Sequence, residues 1–243
     1  MPFWIDSAGK TDVGLVRDKN EDSLLVDPQL GLYVVCDGMG GHVGGQVASQ
    51  LAVATVADSI AQGGEAENEA DILVRAIKQA NAAVYGKAKS DPELHNMGTT
   101  VVAVRRDGDV LHMSHVGDSR IYRLRGGHLE QVTRDHSLIN LYEDNPELAA
   151  RFGPPNSNVI VRAIGLRDSV EVDHRAIAME PGDLYVLCSD GLTDMIEDWM
   201  LREIMLDGAE GPIEECAEAL IRAALSNGGV DNTTALLVRV HEN

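Results

Sequence analysis

Leu32-Tyr33-Val34-Val35-Cys36-Asp37-Gly38 is the stretch that decides the fold, because an apolar, β-favouring run ends there in an acidic residue and a glycine. The same arrangement returns at Leu184-Tyr185-Val186-Leu187-Cys188-Ser189-Asp190-Gly191. Short apolar runs bounded by turn residues are typical of buried strands. The two stretches therefore predict two buried strands, each with a carboxylate at its carboxyl end.

The flanking sequence predicts further strands interleaved with helices. Residues 23–26 and 31–36 predict a hairpin, and helical periodicity follows at about 44–61 and about 68–89. Period-two patterns then predict an antiparallel meander with strands at 99–104, 110–116, 119–124 and 128–133. The remaining predicted elements are strands at 159–163, 170–177, 183–188 and 233–241 and helices at 197–206 and 212–226. With no linker or repeat between them, these elements favour one α+β domain with mostly antiparallel sheets.

Composition and charge limit the class of protein. The 243 residues are 44% hydrophobic and 24% charged, which is a globular balance that excludes wholesale disorder and coiled-coil architecture. There are 20 basic and 39 acidic residues, hence a formal charge of −19, so we expect neither nucleic acid nor a membrane as a partner. The start lacks a leader pattern and no apolar run could span a bilayer. Three cysteines without C-x-x-C spacing predict neither disulfides nor a zinc site, and a cytoplasmic location fits best.

Carboxylates recur at the predicted strand ends. Besides Asp37 and Asp190, the pair Glu21-Asp22 opens the run at 23–26, Asp118 follows a strand, and Asp231-Asn232 precedes the last strand. Partly buried carboxylates need compensating cations. Two nearby arginines, at positions 17 and 120, cannot neutralise this many carboxylates, whereas divalent cations with oxygen ligands can. A single Asp-Gly after a strand is usually a turn, but turns alone do not explain this repetition.

Other residues leave alternatives open. The glycine-rich run 37–45 fits neither the dinucleotide nor the P-loop pattern for phosphate. Cys36 and Cys188 have apolar neighbours and are interpreted as inert core residues. Asp135 and His136 either order one side of the site, or Asp135 caps a helix. The stretch 137–158 predicts a short helix followed by an exposed loop.

Seven motifs in a fixed order carry a family resemblance. They are Arg17-Asp18-Lys19-Asn20-Glu21-Asp22, Asp37-Gly38-Met39-Gly40-Gly41, Gly98-Thr99-Thr100, Gly117-Asp118-Ser119-Arg120, Thr133-Arg134-Asp135-His136-Ser137, Ser189-Asp190-Gly191-Leu192 and Asp231-Asn232-Thr233. Each motif is weak by itself. Together, from about residue 9 to residue 240, they resemble the bacterial branch of the metal-dependent protein phosphatases, the protein phosphatase 2C (PPM) family.

The resemblance implies a fold and an activity. The fold would be a four-layer α-β-β-α sandwich, with two central antiparallel sheets flanked by helix pairs. Residues 1–243 would form a single PPM-type phosphatase domain with a flap at about 137–158. The activity would be hydrolysis of phosphoserine and phosphothreonine on proteins by a metal-activated water, opposing a bacterial Ser/Thr kinase. The resemblance also fits a monomer in the cytoplasm.

The resemblance also assigns roles to residues. Asp37 would bridge two Mg²⁺ or Mn²⁺ ions, Glu21 and the carbonyl of Gly38 would bind one of them, and Asp190 and Asp231 the other. Four further residues complete the ligand and substrate site. Asp118, with Asp190, would hold a third, weaker ion, and Arg17 would bind the substrate phosphate. Asp22 and Asn232 would lie behind the ligands. Arg17 and Asp37 are thus the predicted catalytic residues.

One departure leaves the general acid open. Many eukaryotic members of the family have a histidine where this chain has Met39. The proton for the leaving group would then come either from a water at the metals or from His42. Two rival functions also stand: a catalytically dead binding module, which predicts missing ligands, and a two-metal hydrolase of nucleotides or small phosphate esters.

Overall fold

The computed structural model describes residues 3–40, 43–63, 69–153 and 159–242. Within these ranges the chain forms twelve strands, seven α-helices and a single 3-10 turn at Pro92–Leu94. The strands are β1 (Phe3–Asp12), β2 (Ser23–Asp27), β3 (Leu32–Cys36), β4 (Gly38–Met39), β5 (Gly98–Thr99), β6 (Val101–Asp107), β7 (Val110–Val116), β8 (Arg120–Arg125), β9 (His128–Gln131), β10 (Asp173–Ala178), β11 (Leu184–Cys188) and β12 (Thr233–Glu242). The helices are α1 (Gly44–Gln62), α2 (Glu69–Ser90), α3 (Leu138–Asp144), α4 (Pro146–Phe152), α5 (Asp190–Thr193), α6 (Asp198–Asp207) and α7 (Ile213–Ser226).

Two five-stranded antiparallel sheets form the centre of the fold. One has the strand order β1-β12-β11-β8-β9 and the other β10-β7-β6-β3-β2. Tyr33, Tyr185 and Leu236 are among the side chains that pack between the sheets, each at most 2% exposed. Every residue of β3 and β11 is buried, because both faces of these strands are covered. This double burial explains their continuous apolar sequences.

A pair of helices covers the outer face of each sheet. Ala48 of α1 and Leu73 of α2 belong to the buried cluster on the sheet that contains β3. On the other sheet, α6 contacts β8 and β9 and α7 contacts β1 and β12, and Leu201 of α6 and Leu220 of α7 belong to the buried cluster on that face. The predicted α+β class and the four-layer α-β-β-α sandwich, with its two antiparallel sheets flanked by helix pairs, are confirmed. No helix within the described ranges combines the length and apolarity that crossing a membrane requires.

The topology gathers strand ends at one edge of the sandwich. β2 begins where its partner β3 ends, and β7, which runs parallel to β3 two strands away, ends at the same edge. In the other sheet, β12 begins where β11 ends. The segments that precede β2 and β12 and follow β3, β7 and β11 therefore meet there. These are the segments in which the sequence places its recurring carboxylates.

The structure corrects several predicted elements. The predicted meander divides into two hairpins: β6–β7 lies in one sheet and β8–β9 in the other, and the chain crosses between them at 117–119. Residues 159–163 form no strand, and only isolated bridges at Ile160 and Ile164 are present. The strand predicted at 170–177 begins at Asp173. The stretch 137–158 contains two short helices, α3 and α4, and its last five residues lie outside the described ranges.

Candidate metal centre

Four carboxylates converge on the edge where the strand ends meet. Asp37 follows β3, Asp118 follows β7, Asp190 follows β11, and Asp22 precedes β2. Asp22 is 7% exposed, and the carboxyl groups of Asp37 and Asp190 interact directly. The structure thus brings together side chains that are up to 168 residues apart in the sequence, Asp22 and Asp190 being the extremes.

The carboxylates perturb one another because they are buried together. Burial, followed by the nearby charges of Asp22 and Asp190, raises the pKa of Asp37 well above its ordinary value. Burial is also the main reason why the pKa of Asp22 rises to about 7 and that of Asp118 to about 7. The pKa of Asp190 is raised as well, again chiefly by burial. Without cations, this group of carboxylates resists holding its full negative charge.

Two oxygen atoms of the cluster identify what it can bind. Asp22 Oδ1 and Asp118 Oδ1 are buried and have no hydrogen-bond partner. A buried, unsatisfied carboxylate oxygen is costly unless a cation or a proton reaches it. Hard divalent cations such as Mg²⁺ and Mn²⁺ prefer carboxylate and carbonyl oxygens. The donor set therefore fits the divalent ions that the sequence predicts.

Glycines permit the close backbone packing at this edge. A Cβ at Gly38 would lie 2.1 Å from the carbonyl oxygen of Gly45 and 2.6 Å from that of Glu21. A Cβ at Gly191 would lie 2.0 Å from the carbonyl oxygen of Asn232. Since these neighbours are backbone atoms, a side chain at either position would force the site apart. Glycine after Asp37 and after Asp190 is thus a packing requirement.

The loop that precedes β2 is held by Asn232. Its Oδ1 accepts a hydrogen bond from the Glu21 amide at 2.7 Å, and its Nδ2 donates to the carbonyls of Val13 (2.9 Å) and Lys19 (2.8 Å). Three bonds from one amide side chain fix the segment that carries Arg17 and Glu21. Glu21 is only partly buried, and this burial raises the pKa of its carboxyl group.

Arg17 contacts the cluster through Asp231. Its Nη2 donates to Asp231 Oδ2 at 2.6 Å, and the side chain is 56% exposed. This hydrogen bond is the largest reason why the pKa of Arg17 is raised. The exposed guanidinium is therefore accessible to an anionic group from solvent.

Several hydroxyl groups that the sequence did not single out support the carboxylates. Ser189 Oγ donates to Asp22 Oδ2 at 2.8 Å, and Thr234 Oγ1 donates to the same oxygen at 2.6 Å. The Asp37 amide donates to Thr100 Oγ1 at 2.9 Å, and the Thr100 amide donates back to the Asp37 carbonyl at 2.8 Å. Thr100 and Ser189 stand in two of the seven motifs, but nothing in the local sequence assigns their hydroxyls, or that of Thr234, to the carboxylates.

A cleft of about 720 Å³ opens beside the cluster. Asp118, Asp190 and Asp194 line one side, and Asn140 of α3 lines another. Asp194, a residue that the sequence analysis did not name, has a pKa raised chiefly by burial. The cleft gives a ligand from solvent access to the carboxylates between the sandwich edge and the predicted flap.

The structure also decides between the alternatives for Asp135. Its carboxylate pairs with Arg120, with Nη2 donating to Oδ2 at 2.7 Å. The cap of α3 is instead Ser137, whose Oγ accepts from the Asn140 amide at 3.4 Å. Asp135 therefore orders one side of the cleft, and the capping hypothesis is wrong.

The cysteines and the candidate general acids are placed as follows. Cys36 and Cys188 are fully buried, and burial raises the pKa of the Cys188 thiol to about 12, so both agree with the interpretation as inert core residues. Met39 lies in β4, directly after Gly38. His42 lies outside the described residues, so its predicted role as an acid stays a prediction.

A second group of metal-binding residue types lies outside this cluster. One donor atom each from His115, His136 and Asp173 fall within 4.8 Å of one another. Burial lowers the pKa of His115, and it lowers that of His136 to about 4, so both rings are neutral near pH 7. The Arg162 guanidinium already contacts this group, since its Nη1 lies 2.7 Å from Asp173 Oδ1 and 2.9 Å from His136 Nε2.

Comparison with known proteins identifies the family. A family model described as protein phosphatase 2C matches residues 16–223. The chain belongs to the protein phosphatase 2C family. Among curated relatives of that family, the serine/threonine protein phosphatase PstP of Mycobacterium tuberculosis is 37% identical over 96% of this chain, and the serine/threonine phosphatase stp of Listeria monocytogenes is 36% identical over 94% of it. This chain spans 44% of the length of the mycobacterial relative and 93% of that of the Listeria relative.

Solved structures from the phosphatase 2C family have the same fold. The crystal structure of Mycobacterium tuberculosis PstP superposes with a TM-score of 0.86 at 35% identity, covering 98% of this chain and 99% of that one. A catalytic domain of PstP in complex with two manganese ions also superposes with a TM-score of 0.86, at 34% identity over 99% of this chain and all of that one.

Proposed function

We propose that this protein is a metal-dependent phosphatase that removes phosphate from phosphoserine and phosphothreonine side chains of proteins. The observation that carries the proposal is the buried carboxylate cluster, in which Asp22 and Asp118 each have an oxygen without a partner. Burial, together with the neighbouring carboxylates, raises the pKa of Asp37 and Asp190, and bound cations would favour their ionised forms. The manganese ions of the PstP relative support this choice of cation.

The ligand assignment carries over from the family resemblance, and the meeting of the strand ends supports it. Glu21, Asp37 and the Gly38 carbonyl would hold one Mg²⁺ or Mn²⁺ ion, and Asp37, Asp190 and Asp231 would hold the other. Asp118 with Asp190 would hold a third, weaker ion. Asp22 would orient the ligands from behind, because its other oxygen is already fixed by Ser189 and Thr234. Asn232 would keep Glu21 in place through the Glu21 amide.

The residues of the chain would divide the work of phosphoryl transfer. Divalent cations at such a site, when bound, offset the charge of the phosphoryl group and lower the pKa of water. Arg17 would bind the phosphate: a guanidinium has five N–H donors, so its contact with Asp231 does not exhaust it. Asp231 would aim Arg17 at the substrate. Water would supply the proton to the leaving serine or threonine oxygen.

The wider setting is also a proposal. Residues 1–243 would form a single phosphatase domain, in which the segment 137–158 is a flap beside the cleft. The protein would act as a monomer in the cytoplasm, opposing a Ser/Thr kinase. The three buried, unpaired cysteines suit a reducing compartment, and the formal charge of −19 favours protein substrates over nucleic acid.

Hydrolysis tests the proposal directly. Purified protein would be assayed with a phosphothreonine peptide and with para-nitrophenyl phosphate, in Mn²⁺, in Mg²⁺ and in chelator, beside Asp190→Asn. We expect metal-dependent release of phosphate from both substrates and its loss in the folded variant. Full activity of Asp190→Asn would refute the two-metal assignment. Hydrolysis of the small ester without any of the peptide would favour a hydrolase of small phosphate esters.

A further inference from the structure

His136 and Gly117 are joined by two reciprocal hydrogen bonds. The Gly117 amide donates to His136 Nδ1 at 3.0 Å, and the His136 amide donates to the Gly117 carbonyl at 2.9 Å. His136 is 8% exposed and Gly117 is also buried. Gly117 directly precedes Asp118, so this pair of bonds fixes the backbone from which the Asp118 carboxylate extends.

The turn that His136 holds is packed tightly against Thr100, which supports the backbone of Asp37. Gly117 has a φ of +111°, and a Cβ there would lie 2.7 Å from Thr100 Cγ2. Thr100 Oγ1 lies 2.7 Å from Ser119 Oγ and accepts from the Asp37 amide at 2.9 Å. A shift of Gly117 would therefore move Asp118 and disturb the support of Asp37. Hydrogen bonds and packing run without a gap from His136 to the metal centre.

The two ends of the predicted flap meet at His136 as well. The Val161 amide donates to the His136 carbonyl at 2.9 Å, and the Leu138 amide donates to the Val159 carbonyl at 2.8 Å. Ser137 and Ile160 form an antiparallel bridge beside them. His136, which is hydrogen-bonded to Gly117, thus also directly precedes the segment 137–158 and pairs with Val161 just after it.

The hydrogen bonds of His136 do not suit a metal ligand. Nδ1 accepts from the Gly117 amide at 3.0 Å, and the Nη1 donor of Arg162 lies 2.9 Å from Nε2. Both ring nitrogens of His136 therefore already face N–H groups, and neither is open to a metal. The Nε2 of His115 lies 2.9 Å from the Arg134 carbonyl, which makes that nitrogen a donor. Arg162 is the cation that this group already contains.

We propose that His136 is a positioning residue, which holds Asp118 in place for the third metal ion and joins that turn to the base of the flap. It acts through the Gly117 amide and touches neither the substrate nor the carboxylates of the metal centre. The inference rests on the proposed function, because a role for Asp118 in metal binding is part of it.

Three variants test the proposal against the wild type. His136→Leu removes the acceptor for the Gly117 amide, and His136→Asn retains an acceptor oxygen near the position of Nδ1. His115→Leu is the matched control, because the His115 ring stacks on His136 with centroids 4.6 Å apart but makes no bond to Gly117. The readouts are Mn²⁺ binding by calorimetry, the Mn²⁺ dependence of peptide hydrolysis, and amide hydrogen exchange of residues 116–119.

We expect His136→Leu to weaken the low-affinity Mn²⁺ step at least tenfold, while the two tight sites remain, and we expect the same of Asp118→Asn. The double variant His136→Leu/Asp118→Asn should bind the low-affinity Mn²⁺ no more weakly than the more severe of the two single variants, because both substitutions act on the Asp118 carboxylate. Exchange at Gly117 should accelerate about tenfold or more, since its amide loses a buried partner. His136→Asn should stay within about threefold of the wild type in each readout, and His115→Leu should leave the Mn²⁺ dependence unchanged.

Other results would overturn the inference. If His136→Leu and Asp118→Asn combined additively, or if His115→Leu changed the Mn²⁺ dependence equally, the effect would be general loosening of the region. Loss of a tight site in both histidine variants would instead identify His115 and His136 as ligands. If amide hydrogen exchange at Gly117 were unchanged in folded His136→Leu, the proposed role of the His136–Gly117 hydrogen bonds would be refuted independently of any activity measurement. A wild type that hydrolyses no phosphate ester would refute the proposed function, whereas an active wild type with a fully normal His136→Leu would refute the positioning role alone.

Discussion

Asp118→Asn should make the metal-free protein more stable. Burial, followed by the charge of Asp190, raises the pKa of Asp118 to about 7, whereas an exposed aspartate titrates near 3.8. Holding this carboxylate ionised above pH 7 therefore opposes folding, by as much as about 4 kcal/mol at 1.36 kcal/mol per pKa unit. Asparagine keeps the size of the side chain and removes the charge. For a chain of this length, such a gain corresponds to a rise in Tm of as much as about 10 °C.

The pH dependence separates this cause from others. The folded-state pKa of Asp118 lies above its unfolded value, so the penalty is complete above about pH 7, decreases as the pH falls, and vanishes near pH 4. The Tm difference between Asp118→Asn and the wild type, both in chelator, should follow the same course. Asp183→Asn is the matched control: Asp183 is buried but accepts from Arg125, from the Tyr185 hydroxyl and from the Glu180 amide. That variant should lose about 3 kcal/mol, because it breaks a buried ion pair. A lower Tm for Asp118→Asn at pH 8, or a difference that does not change with pH, would refute the argument from crowded carboxylates.

Three further predictions concern other parts of the molecule. Arg17→Ala should lower kcat/KM for a phosphothreonine peptide about 10- to 100-fold, since a hydrogen bond to a charged group contributes about 1.5–3 kcal/mol, and steady-state kinetics that leave KM unchanged would contradict its role. Gly191→Ala should lower both the Tm and the Mn²⁺ affinity, because its Cβ would lie 2.0 Å from a backbone oxygen, whereas Gly86→Ala, with open space around it, should gain about 0.5–1 kcal/mol. Arg239→Met should cost about 3 kcal/mol in urea denaturation, because Arg239 binds Asp6 and the carbonyls of residues 208, 209 and 211. Burial favours a higher pKa for Asp6, but the hydrogen bonds from Arg239 and His241 outweigh it and lower the pKa. The free energy of unfolding lost in Arg239→Met should therefore shrink as acid protonates Asp6. A loss that stays constant into acid would contradict the pairing of Arg239 with Asp6.

The sequence predicted the buried strands and the amphipathic helices well, because both have strong periodic signals. The apolar runs of β3 and β11 and the face of α7 need no tertiary information. The long edge strand β1 was missed, since its residues are mostly half-buried and it forms by pairing with β12 along all ten of its residues. The crossing at 117–119 was also missed, because a change of sheet depends on the backbone of Gly117 and on Thr100, which is distant in sequence.

The candidate site was accessible from the sequence only in part. Acidic residues at strand ends indicated which carboxylates meet, because strand ends at one edge of a sandwich are neighbours. The hydroxyls of Ser189, Thr234 and Thr100 carry no such signal, since buried threonines and serines are common in strands without any link to a site. The clamp between His136 and Gly117 joins a loop to a turn 19 residues away, and only the folded backbone shows it.

The central claim is that the carboxylates at the sandwich edge form a divalent metal centre, and anomalous diffraction from crystals equilibrated with Mn²⁺ tests it most directly. We predict two strong peaks beside Asp37, one towards Glu21 and the Gly38 carbonyl and the other towards Asp190 and Asp231, with a weaker third peak near Asp118. Absence of peaks at Asp37 at saturating Mn²⁺, or strong peaks only among His115, His136 and Asp173, would contradict the claim.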